Sequence, residues 1–443
     1  MPNAMNNRSS HIQRPDRSQR RRIILGGCCA SPVLALLIVY ILYLAHNRTP
    51  HIDLPTHTVP ADNAIPIVEN CFAASKAMVH PAPSISGQRT YSAYADCAAD
   101  AEPMLKLLHE AISHPLVNPP VRSHKDDPFR TLAAGRDTFR TINSVASYYE
   151  LSKDPDRAMQ IRLDGLELAV MMARGGTLIT ESMSSAYETL TWNRMELLIP
   201  HLTDAQLAAT ASQLELIQSK RTPTSDLIIE DSYETTARLL ETLHEKGKFD
   251  NPMADLDAMG TAATAMPVKE RLLVRYESAK FDLTDKTNLL KTNLEWTRTL
   301  AAEMRAGYRV ESAVPVPQNL YSELYTGLYK NAERQALANK TVVDILRIEV
   351  ALEQYRRANS AFPASLDKLT PRFLNSLPTD PFNPAGYFTY AMNPDATYTL
   401  YSYGTDAKDN GGTPGRYTAI GDGDIVAGRL RPTGYPPIIG DGK

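Results

Sequence analysis

From Ile23 to Ala45 no residue is charged, a run of 23 residues. A helix needs about 20 apolar residues to cross a hydrocarbon core of about 30 Å, so the run predicts one transmembrane helix over 23–45. Arg8, Arg14, Arg17, Arg20, Arg21 and Arg22 precede it against Asp16 alone. Basic residues stay on the cytoplasmic side of a span. The expected topology is therefore a cytoplasmic tail over 1–22, a signal anchor, and a remainder across the membrane. A cleaved signal peptide is the lesser alternative, because the run ends Tyr43-Leu44-Ala45-His46 without a small-x-small site.

The net charge of −3 leaves the chain beyond that tail acidic. An arginine block directly ahead of an apolar run is a topology signal, and no basic face interleaved with aromatics follows it, so no nucleic-acid partner is expected. At 443 residues the chain has room for two or three domains. Cys28 and Cys29 fall inside the expected span, which leaves Cys71 and Cys97 for the exported part. These two stand in expected helices joined by a loop rich in Pro, Ser and Gly. One disulfide in an oxidising compartment and two separate buried thiols are both compatible with that layout.

Residues 46–62, with Pro50, Pro55 and Pro60, read as a linker. Helical patterning then predicts a body over 63–318, with first helices at Ala64–Val79 and Tyr91–Ser113. Phe139, Ile142, Val145 and Tyr149 recur at helical spacing, as do Met159, Leu163, Leu166 and Val170 beyond Asp154-Pro155. A capping residue followed by proline at the first helical position makes this pair an antiparallel helical hairpin. Thr203-Asp204-Ala205-Gln206 fits a capping box. The hairpin is similar in a general way to a tetratricopeptide unit, but no period near 34 residues repeats. A hairpin stack and an irregular bundle both remain open.

A last long helix is expected from Asn319 to Arg357, with a possible break near Asn339. Phe388–Ala391 and Thr397–Tyr403 flank Asn393-Pro394-Asp395 and read as a β-hairpin, with a short strand at Ile425–Ala427. The fold class is thus mainly α: one transmembrane helix, a helical-hairpin or bundle body, and a small α+β head over 319–430. A tail over 431–443 follows.

The stretches Leu352-Glu353-Gln354-Tyr355, Phe362-Pro363, Leu377-Pro378-Thr379-Asp380-Pro381-Phe382, Tyr401-Ser402-Tyr403-Gly404-Thr405-Asp406 and Asp424-Ile425 carry the most specific signal. Their order and spacing resemble the head of the major pseudopilin of type II secretion systems. The rest of the chain is similar to membrane-anchored helical proteins of bacteria. The resemblance implies a long helix packed on a short antiparallel sheet, a bacterial inner membrane with a periplasmic bulk, and a calcium-binding loop. It places calcium ligands at Asp406, Asp424 and the carbonyl of Tyr403. Asp422 is a plausible third carboxylate and Asp409 a weaker one, because calcium takes six to eight oxygen ligands. Ala407 replaces the family's glycine. The pilin processing site is absent, so the head reads as a terminal module of a different protein.

No catalytic motif rises above this. His109 and His114 are five apart, which puts them on different faces of a helix and argues against zinc. Glu230-Asp231 is an acidic pair of the body and reads as surface. The expectation is a non-enzymatic, membrane-anchored protein with a helical body that binds protein partners and a calcium-stabilised head. A component of a secretion or pilus-like assembly, and a hydrolase in the helical body, are the alternatives.

Overall fold

The computed structural model describes residues 34–45, 50–76, 78, 91–123, 128–246, 276, 284–415, 421 and 423–430. The chain divides into two units, Met1–His51 with Thr242–Leu289, and Ile52–Glu241 with Leu290–Lys443. In the first, residues 34–45 form helix α1. Among the described residues no helix is long and apolar enough to cross a membrane. This corrects the expected transmembrane helix over 23–45, and with it the signal anchor, the membrane as a partner, and the inner-membrane placement with a periplasmic bulk. Residues 23–33, the basic tail over 1–22 and the tail over 431–443 lie outside the described residues.

The second unit is mainly helical. It runs through α2 (Ile65–Lys76), α3 (Tyr91–Asp100), α4 (Glu102–Ile112), α5 (Pro128–Leu151), α6 (Pro155–Met171), α7 (Leu178–Trp192) and α8 (Met195–Leu198). A 3-10 turn at Ile199–His201 leads into α9 (Asp204–Ser219). The larger parts of α10 (Thr224–Lys246) and α11 (Lys286–Ala306) also belong here, and α12 (Leu320–Asn359) follows. The helix expected over Tyr91–Ser113 is two helices, since Pro103 lies in the first turn of α4 and proline belongs there rather than inside a helix. Asp154 caps α6, its carboxylate accepting the Arg157 N–H at 3.0 Å ahead of Pro155. Thr203 and Gln206 cap α9 reciprocally, at 3.3 and 2.7 Å. Asn319 accepts the Ser322 N–H at 3.0 Å to start α12, which continues unbroken past Asn339.

The head has three strands, β1 (Thr389–Met392), β2 (Tyr398–Ser402) and β3 (Ile425–Val426), antiparallel in that order. Tyr390 stands opposite Leu400, and Tyr401 opposite Val426. One apolar cluster holds Leu163 and Leu166 of α6, Leu214 and Ile217 of α9, Val342 to Leu352 of α12, and Phe382, Phe388, Leu400, Ile425 and Leu430 of the head. Body and head therefore share a core. A second cluster joins α2, α4 and α5 to the opposite face of α6, and holds Cys71 and Cys97. A third sits around Ile228, Trp296, Leu300 and Tyr329.

Helices α5, α6 and α7 meet at Gly165. A Cβ there would meet Ile142 Cγ2 and Thr191 Cγ2, each at 2.9 Å. Both neighbours are β-branched and stiff. Alanine gains about 1 kcal/mol of helix propensity over glycine, but overpacking a filled core costs about 1–3 kcal/mol. Gly165→Ala is therefore expected to lower stability by about 1 kcal/mol, read from the urea midpoint at unchanged slope.

Candidate functional site

The head loop between β2 and β3 is organised by carboxylates that accept N–H groups. Asp424, 2% exposed, accepts the Asn410 N–H at 3.2 Å on Oδ1 and the Gly412 N–H at 2.7 Å on Oδ2. Asp406 accepts the Lys408 N–H at 3.2 Å and the Asn410 side-chain amide at 3.4 Å. Asp409 accepts the Tyr401 hydroxyl and the Gly411 N–H, each at 2.9 Å. The loop closes where Gly404, at φ +70°, passes Gly423: a Cβ at 404 would lie 2.3 Å from the Gly423 carbonyl oxygen. Ala407 takes φ +54°.

Asp406, Asp409 and Asp424 thus gather on the Asn410–Gly412 turn. Burial raises the Asp424 carboxyl, the two N–H donors draw it down, and the charges of Asp409 and Asp406 raise it again. Asp409 is held below the usual carboxylate range by the Gly411 N–H and the Tyr401 hydroxyl. The donors are all oxygen, which suits a hard cation, and a carboxylate that accepts two N–H bonds keeps acceptor capacity. Among the described residues, however, no group of three or more His, Cys, Asp or Glu side chains is placed around one ion. Asp422 lies outside the described residues. The Tyr403 backbone is tied to a different carboxylate, its N–H donating to Asp380 Oδ2 at 3.2 Å.

Asp380 is the anchor that the sequence reading passed over. Its Oδ1 accepts the Ser402 hydroxyl at 2.7 Å and the Phe382 N–H at 3.0 Å, so one buried carboxylate fastens the end of β2 to the turn at Pro381. The available signal was an aspartate directly before a proline, where aspartate makes local turn hydrogen bonds. Asp380→Ala leaves those buried donors without an acceptor. The expected loss is at least about 2 kcal/mol in urea unfolding, since hydrogen bonds to charged groups contribute about 1.5–3 kcal/mol each.

In the body, buried charges join helices. Arg162, fully buried, donates to Glu150 Oε1 from Nε at 3.0 Å and from Nη2 at 2.6 Å, and Arg194 reaches Glu150 Oε2 at 2.8 Å. Arg221 grips both Glu188 oxygens at 2.9 and 2.7 Å, and Lys220 pairs with Glu167. Asp231, expected at the surface, is 8% exposed. Thr177 offers α7 no side-chain cap, and the Asp231 carboxylate takes that place by accepting the Leu178 N–H at 3.2 Å while the Tyr329 hydroxyl donates to it at 3.2 Å. Cys71 and Cys97 are free buried thiols, and Cys71 Sγ donates to the Met104 carbonyl at 3.6 Å. Burial pushes the Cys71 thiol up to about 12, far from the thiolate that reacts. His109 Nδ1 lies 3.4 Å from Asp164 Oδ2.

Two of the body's carboxyls face no full counter-charge. Glu181 is pushed up to about 7, mainly by burial and then by Glu188, with Arg221 and the Ser185 hydroxyl drawing it down. Asp231 is pushed up to about 7 by burial, lowered by the Leu178 N–H, raised by Glu234, lowered by the Tyr329 hydroxyl and raised by Glu230. In both cases the folded chain holds a proton that the unfolded chain releases near 4. Stability from these sites is therefore full below about pH 4 and is lost as the pH rises towards 7. Glu181→Gln should flatten that fall, measured as urea midpoints between about pH 4 and pH 8.

The cavity between α10, α11 and α12 is lined by Thr235, Leu294, Trp296, Tyr325 and Tyr329 and measures about 20 Å³, room for about one water. A groove of about 200 Å³ beside α9 and α12 is larger and polar, lined by Ser212, Glu215, Arg347, Gln354, Arg372 and Phe373. No family model, characterised protein or solved structure matches this chain.

Proposed function

We propose that this chain is a non-enzymatic interaction protein, in which a helical body carries protein-binding surfaces and the head is stabilised by calcium on its acidic loop. What supports the first half is the use of charge in the body. Glu150, Glu188 and Glu167 each face an arginine or lysine from a neighbouring element, an arrangement that fixes helix positions. The polar groove along α9 and α12 suits a protein partner better than the water-sized cavity suits a small substrate.

The observation that carries the second half is the convergence of Asp406, Asp409 and Asp424 on one turn, with the charges of the first two raising the third. A divalent cation relieves that repulsion. Because α12 packs into the body's core, the test uses the whole chain. Melting in calcium against a chelator is expected to show a higher Tm with calcium in the wild type and no shift in Asp406→Ala or Asp424→Ala. A wild-type Tm indifferent to calcium would remove the metal from the proposal.

The long helix α12 against a three-stranded antiparallel sheet also supports a second reading, a part of a secretion or pilus-like assembly recruited through the head. Co-purification with pseudopilins would separate it from the first.

A further inference from the structure

Four segments of the second unit meet at one buried carboxyl. Glu349 of α12 is 8% exposed. Its Oε1 accepts the Tyr398 hydroxyl of β2 at 3.5 Å, and its Oε2 has no hydrogen-bond partner among the described residues. The charge acting on it is that of Glu196 in α8. Glu196 in turn accepts the Leu430 N–H at 3.4 Å on Oε2. Leu430 lies just past β3 and is 1% exposed within the core that body and head share. The seam therefore brings together α8, α12, β2 and the chain leaving β3.

Glu353, one turn along α12, pairs with Arg356 and Arg357 at 2.8 and 2.7 Å. Tyr390 of β1 stacks behind Tyr398 with ring centroids 5.9 Å apart. A second full charge in so dry a seam costs several kcal/mol when no cation offsets it, whereas a protonated carboxyl carries no charge and supplies a donor.

We propose that the head is docked on the body through a proton held by Glu349, and that its loss on raising the pH sets two like charges against each other and frees β3 and Leu430 from α8. Burial, and then the charge of Glu196, hold this carboxyl well above the usual range. The folded chain binds a proton that the unfolded chain releases, so docking is strongest in acid and weakens as the pH rises through that raised value.

The test follows amide hydrogen exchange at Ile425 to Leu430 in the whole chain, corrected for the intrinsic rate, between about pH 5 and pH 9. Between the ordinary carboxylate range and the raised value at which folded Glu349 ionises, wild-type protection at these amides should fall about tenfold per pH unit, the slope of one proton, and level off above it. Glu349→Gln should hold its protection flat. Glu181 and Asp231 titrate in both proteins, so the difference isolates Glu349. Infrared spectra should show the carbonyl stretch of a protonated carboxyl in the wild type that Glu349→Gln lacks. Where circular dichroism shows Glu349→Gln unfolded, Glu196→Gln is used instead: burial still raises Glu349, but without the opposing charge the fall should end at a lower pH and leave more protection at high pH than in the wild type. Equal protection profiles in wild type and variant, or infrared bands identical in wild type and Glu349→Gln, would overturn the proposal. So would recovery of wild-type protection at high pH on adding calcium or magnesium, which would put a cation where the proton is assigned.

Discussion

Between Val342 and Leu352 eight apolar residues of helix α12, Val342, Val343, Ile345, Leu346, Ile348, Val350, Ala351 and Leu352, are each at most 1% exposed, and only Asp344, Arg347 and Glu349 interrupt them. A helix with a narrow apolar stripe needs one partner, and one whose apolar residues spread over most of its circumference has to be enclosed. Helix α9 packs against α12, and Phe382, Phe388, Leu400 and Ile425 of the head belong to the same apolar cluster. The head's small sheet has too little apolar area to stand alone, since a few short strands need a packed partner for stability. It obtains that partner from a helix the body also needs. The two parts are consequently joined through their interior.

That enclosure decides how charge is handled nearby. Burying an ion pair returns little net stability, but removing one member leaves an uncompensated charge that costs about 3–5 kcal/mol. Arg162 with Glu150, and Arg221 with Glu188, meet this condition with two-point contacts that fix distance and orientation together. Glu181, Asp231 and Glu349 have no such grip and take the other physical route, in which burial favours the neutral acid. One core thus contains both paired charges and buried carboxyls that lack such a pair.

Local signals in the sequence reached the structure where the physics is local. Asp154-Pro155, the Thr203 to Gln206 box and Asn319 cap their helices through bonds spanning three residues, and the strands fall within a residue of their expected positions. The uncharged run near the start was equally visible, but among the described residues it yields no helix long and apolar enough to cross a membrane. Glu230-Asp231 looked like a wet face because adjacent charges on a helix usually are. Its burial depends on Leu178 and Tyr329, respectively 53 and 98 positions away. Asp380 was hidden similarly, its partners Ser402 and Tyr403 lying 22 and 23 residues further on. For the candidate site, the sequence identified Asp406 and Asp424 as neighbours across a loop. It could not show that their oxygens already organise that loop's amides.

This double role of the head's carboxylates limits what any ligand there can do. Asp380 fixes the end of β2, and Asp424 draws the Asn410–Gly412 turn against the start of β3, so the two acids hold opposite sides of the same loop. A cation arriving at Asp424 competes with two N–H donors for the carboxylate's lone pairs. It can add to the existing bonds only if Asp406 and Asp409 turn towards it, because bonds given up by the amides would offset the attraction gained. Irregular, flexible oxygen coordination would disturb fewer of these bonds than a rigid octahedron, which is the physical distinction between calcium and magnesium.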